Sequence, residues 1–139
     1  MTRLRVVVDA NIAVAALIRP GGWTAEQLAR DDVHWLAPAF LLDELAEHAT
    51  EYAAKAGCGV REWRRRLAAL VARVELVPAT ALLAVKDDKL VLAVARIDPD
   101  DAPYAAALVA SGADLLWTRD EALFVALPGI AVAVVPATS

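Results

Sequence analysis

The segment Leu4-Arg-Val-Val-Val-Asp9 limits the fold more than any other stretch of the chain. A β-branched run without polar alternation marks a strand covered on both faces, and such strands belong to parallel sheets flanked by helices. Ala10–Ile18 reads as a helix stopped by Pro20-Gly21-Gly22. His34–Leu36, Val74–Val77, Leu115–Thr118 and Ile130–Val135 read as further strands. Between them, Thr24 is placed to cap a short helix, with Gln27 completing a capping box. Pro38 is expected to start a helix running to Gly57-Cys58-Gly59, with Phe40, Leu41, Leu42 and Leu45 turned inward. Val60–Val71 carries a stripe of Trp63, Leu67, Leu70 and Val71. Ala79–Ala95 reads as one helix with Lys86-Asp-Asp-Lys89 on its wet side. Another helix opens after Asp98-Pro-Asp-Asp-Ala-Pro103 and runs to Gly112, a glycine placed to end it, and Glu121–Ala126 is a short last one. Strands alternating with helices predict an α/β fold: a three-layer α/β/α sandwich with a mostly parallel central sheet, one domain over residues 1–139.

Composition narrows the function classes. No apolar stretch approaches the ~20 residues that span a bilayer, so no membrane partner is expected. Asp9 and Asn11 interrupt what would otherwise resemble the apolar core of a signal peptide. Cys58 is the single cysteine, which excludes an internal disulfide and thiolate zinc clusters and points to the cytoplasm. The net charge of −4 offers no global attraction to nucleic acid. Any such binding must be local or metal-assisted.

Four acids fall where an α/β chain gathers ligands: Asp9 after the first strand, Glu44 early in a helix, Asp101 opening another, and Asp120 just beyond Leu115–Thr118. Carboxyl ends of strands form the crevice of an open α/β sheet. Carboxylates gathered there repel by about 4 kcal/mol per pair at ~4 Å and an effective dielectric near 20, a cost that a divalent cation relieves. Phosphatases and receiver domains with an acid after the first strand place a second acid beside it, where this chain has Ala10 and Asn11.

The motifs in order resemble the PIN domain, a family of metal-dependent ribonucleases that includes toxins of toxin–antitoxin pairs. Val6-Val-Val-Asp-Ala-Asn-Ile12 looks like its opening strand and first acid. Pro38-Ala-Phe-Leu-Leu-Asp-Glu-Leu45 is similar to the helix of the second, and Asp98-Pro-Asp-Asp-Ala-Pro-Tyr104 to the helix of the third. Leu115-Leu-Trp-Thr-Arg-Asp120 looks like the closing motif. The resemblance implies an endoribonuclease with Asp9, Glu44, Asp101 and Asp120 as catalytic, metal-holding acids. Asn11 and Thr118 would orient them, and Arg119 would touch RNA. Oxygen-only donors suit Mg²⁺ or Mn²⁺ rather than zinc. The implied partners are RNA, an antitoxin protein and a second copy in a homodimer. Ala10 stands where the family often has Ser or Thr. That departure keeps open an alternative reading, a PIN-like RNA- or protein-binding module without turnover.

Other residues have ordinary readings. Arg61, Arg64, Arg65 and Arg66 read as a solvated helix face, with Glu62 paired to Arg66, and have an RNA-backbone patch or a contact for an acidic partner as their alternative role. Trp35, Trp63 and Trp117 are core. Trp23, beside two glycines, is placed in ordinary packing, with base stacking at the cleft as its alternative role.

Overall fold

The computed structural model describes residues 3–119 and the backbone of 132–134. Five strands among these residues form one sheet: β1 (Leu4–Val8), β2 (Val33–Pro38), β3 (Val74–Val77), β4 (Leu115–Thr118) and β5 (Val132–Val134). Their order is β3-β2-β1-β4-β5, and every described pairing is parallel. The chain starts at the centre of the sheet, steps outward to β3, then crosses back to the other side of β1. Between β1 and β4 the strand order therefore reverses, and in parallel sheets this switch point opens a crevice at the carboxyl ends.

Alternation along the strands loads both faces. Val6, Val8, Trp35, Ala37 and Trp117 pack with Ile12, Leu41, Leu45, Trp63 and Leu67 on one face. That layer comes from α1 (Ala10–Ile18), α2 (Trp23–Leu28), α3 (Phe40–Glu47), α4 (Ala49–Ala56) and α5 (Val60–Val71). Val7, Leu36 and Leu116 point the other way, against Tyr104, Ala107 and Leu108 of α8 (Ala102–Ser111). α6 (Ala79–Ala84) and α7 (Lys89–Ile97) complete the second layer, with Val91 and Val94 packed on Ala105 and Ala106. This is the expected α/β/α architecture.

Several local expectations are corrected. The helix expected from Pro38 divides at His48, and Pro38 itself ends β2. Phe40 is at the surface edge, with its ring 5.8 Å from that of Tyr104. The long helix over 79–95 divides too. Asp88 accepts a 2.8 Å bond from the Leu90 amide and caps a new start, so Lys86-Asp-Asp-Lys89 lies at a break rather than along a wet face. α2 begins two residues earlier than a Thr24 cap implies, at Trp23 with Gly22 as its cap, and Thr24 is buried within it. Gly112 ends α8 at φ 66°, a left-handed value that a glycine adopts without a Cβ clash. Glu121–Ala126 lies outside the described residues.

Trp63 pins the first layer. Its indole is fully buried, stacks on Tyr52 at 5.4 Å, and donates from Nε1 to the Leu45 carbonyl at 3.3 Å. Trp63→Ala removes the stack, the bond and a large core volume together. It is expected to cost about 3–5 kcal/mol in urea-induced unfolding.

Candidate active site

Asp9 follows β1 directly and is only 4% exposed. It is also the N-cap of α1: its Oδ1 accepts from the Asn11 amide at 3.3 Å, while its backbone carbonyl accepts from Ile12 and Ala13. The adjoining strand supplies the rest of its setting. The Asp9 amide donates to the Trp117 carbonyl at 3.1 Å, and the fully buried Thr118 donates its hydroxyl to Asp9 Oδ2 at 2.5 Å. A hydroxyl-to-carboxylate bond of this length is of the charge-assisted kind. The two bonds fix the plane of the carboxylate at the switch point between β1 and β4.

Two further acids approach from the helices. Glu44 lies half-buried on α3, and Asp101 lies half-buried at the end of a 3₁₀ turn, Pro99–Asp101, that leads into α8. The turn has its own cap, because Asp98 accepts from the Asp100 amide at 3.0 Å. Asp101 is the N-cap residue of α8 without spending its side chain on a capping bond. A carboxylate there is favoured by the positive end of the helix.

Tyr104 reports on how these acids are grouped. One turn into α8, it is buried, and its phenol oxygen has no hydrogen-bond partner among the described residues. Burial first, then the charges of Asp9, Glu44, Asp101 and Tyr52 push its phenol pKa above the ordinary 10.0. Three of the four acids singled out in the sequence thus act on one hydroxyl. The sequence reading of the site passed over Tyr104; its place one turn after Asp101 was the available signal. Tyr52 is shifted up as well, by burial and then by Glu44 and Glu51.

Asp120 lies outside the described residues. Arg119 follows Thr118 and is half-buried. Asn11 has an exposed side chain, and the bond it makes to Asp9 comes from its backbone amide. The arginine run on α5 behaves as a paired surface: Glu62 holds Arg65 at 2.7 Å and Arg66 at 3.3 Å, and Arg66 also donates to the Leu17 carbonyl.

Among the described residues, no three His, Cys, Asp or Glu side chains stand close enough to grip a single ion. The donors are nonetheless all hard oxygens around a buried hydroxyl, a chemistry that fits Mg²⁺ or Mn²⁺, which keep part of their water shell between themselves and the protein.

The sheet reverses its order beside Asp9, which follows β1, while Glu44 and Asp101 are carried by α3 and by the turn into α8. A family model for the PIN domain matches residues 7–133, and the chain belongs to that family. PIN domains are generally nucleases and typically use divalent metals. A comparison with curated proteins finds no match. No helix among the described residues is long and apolar enough to cross a membrane.

Two outcomes are expected. Thr118→Val leaves a buried carboxylate short of a donor and should cost about 1.5–3 kcal/mol in chemical denaturation. Tyr104 works through pH. Because its folded-state pKa is raised, its contribution to stability is complete below the unfolded value of 10.0 and declines as pH rises past it. Tyr104→Phe should therefore move the alkaline unfolding midpoint upward when ellipticity is followed from pH ~9 to ~12.

Proposed function

We propose that this PIN domain is a divalent-metal-dependent endoribonuclease that hydrolyses RNA phosphodiester bonds and serves as the toxin of a toxin–antitoxin pair. The observation that carries the reading is Asp9, buried beside the reversal of the sheet and held by the Thr118 hydroxyl, with Glu44 on α3 and Asp101 at the start of α8 as its companions. Asp120, one residue past Arg119, completes the proposed acidic set. Asp9, held by Thr118 and the Asn11 amide, is a principal metal ligand with Asp101, and Glu44 and Asp120 complete the shell directly or through water. Bound Mg²⁺ or Mn²⁺ supplies charge stabilisation to an in-line displacement at phosphorus. Thr118 keeps Asp9 from rotating away, and the packing of α8 on β1 and β4 keeps Asp101 in reach of it. Arg119, beside the cleft, takes a phosphate. The proposed partners are RNA, an antitoxin segment covering the cleft and a second copy of the chain. The proposed compartment is the cytoplasm, consistent with a single cysteine, Cys58.

A second reading, a PIN fold that binds RNA or protein without turnover, draws on Ala10 and on the lack of a close three-ligand group among the described residues. Calorimetric titration with Mn²⁺ separates the two, since a decayed site takes up no metal in the millimolar range.

Asp9→Asn preserves the shape of the cap and removes one charge from the group. Cleavage of single-stranded RNA should fall by about 10²–10⁴-fold, the scale of several kcal/mol of lost charge stabilisation. The melting temperature in EDTA should rise, because repulsion with Glu44 and Asp101 is relieved. RNA cleavage that survives either the substitution or EDTA overturns the nuclease reading.

A further inference from the structure

On the face of the sheet opposite Tyr104, three of the four tryptophans meet. The Trp35 and Trp117 rings stack at 5.5 Å, and Trp23 stands edge-on to Trp117 at 6.0 Å, with 45% of its surface exposed. Between them is an apolar hollow of about 250 Å³, floored by Val6 and Leu115. A second hollow of the same size lies beside it towards the amino ends of the strands, and its lining is cationic: Arg3, Arg30 and Arg73, with Asp31 as the one acid. Arg30, Val33 and Trp35 line both, so the two hollows adjoin. Together they fall within roughly 300–1,000 Å³, the usual size of a small-molecule site.

The guanidiniums are already placed. Arg73 donates from Nε and Nη2 to the Leu28 and Ala29 carbonyls and pairs with Asp31 at 3.1 Å. Arg30 is clamped by Asp32 through two bonds and by Gln27 through a third. Arg3 is exposed and makes no hydrogen bond or ion pair among the described residues. Counting Asp31 and Asp32, the three arginines leave the rim with one excess positive charge. At the junction, Trp35 is 5% exposed, and its Nε1 has no acceptor among the described residues. A buried donor without an acceptor is costly, and a ligand oxygen or ring nitrogen would satisfy it.

We propose that this double hollow binds a nucleotide unit, its planar base against the tryptophans and its phosphate against the arginines. An aromatic wall takes any base by its π-face, and guanidinium forks match phosphate geometry. The site is separate from the acidic cleft: Trp117 and Thr118 are adjacent in β4 but point to opposite faces. Its occupant is either a free mononucleotide or one nucleotide of a single-stranded RNA.

The test titrates AMP and, separately, a short oligoribonucleotide into the EDTA-treated protein. Tryptophan fluorescence and the indole N–H resonance of Trp35 are followed. Saturable quenching together with a shift of that resonance supports the site. A response to AMP identifies the free nucleotide as occupant, and a response to the oligomer alone identifies a chain segment. Trp23→Ala and Arg3→Ala, both at exposed side chains, should each weaken binding about tenfold, the loss of one stacking or charge contact. Asp9→Asn should leave it unchanged. No response to either probe, or undiminished binding in both Trp23→Ala and Arg3→Ala, overturns the proposal.

Discussion

The bond from the Thr118 hydroxyl to Asp9 joins the two central strands at the one place where the sheet reverses its order. A carboxylate that is 4% exposed has lost most of its water, and isolated it would be expelled or protonated. Three features hold it instead: the buried hydroxyl, the amide of the first turn of α1, and the β1–β4 ladder, which sets their spacing. The same residue ends a strand, caps a helix and closes a crevice.

Tyr104 and Asp101 show the second level of that arrangement. α8 lays Ala105–Leu108 along the sheet and the neighbouring helix, an alanine-rich surface that lets the helix approach closely. That approach packs Tyr104, Ala107 and Leu108 of the helix against Val7 and Leu116 of the two neighbouring strands. Asp98 caps the preceding turn and leaves Asp101 without a capping bond to make. The three acidic residues in Asp98-Pro-Asp-Asp101 thus have different settings, though composition alone makes them alike.

Legibility followed the range of the forces involved. β1, β3, β4, α1 and α5 could be bounded to the residue, because each is set by a local apolar run or stripe ended by Pro, Gly or a polar residue. Asp9 could be singled out for the same reason, since it lies at the end of such a run, whereas Thr118 entered through the resemblance of its motif. The breaks at His48 and at Val85–Asp88 were not legible. Apolar spacing continues across both, and the second turns on an aspartate side chain choosing the Leu90 amide. Thr24 was expected as a cap, but the helix starts ahead of it at Trp23 and leaves it buried. The tryptophan cluster escaped notice because Trp23, Trp35 and Trp117 come from three separate elements, and only the sheet register, pairing Val6 with both Trp35 and Leu115, puts their side chains on one face.

The parallel ladder between β1 and β4 has a consequence for when the acidic cleft comes into being. Asp9 leaves the ribosome 109 positions ahead of the hydroxyl that donates to it. Contacts of such separation are slow to close and close late. A growing chain therefore carries Asp9 through all of those positions without the strand that holds it. The Asp9–Thr118 bond forms only after every described helix between the two residues has been made, so a chain cut short before Thr118 lacks it.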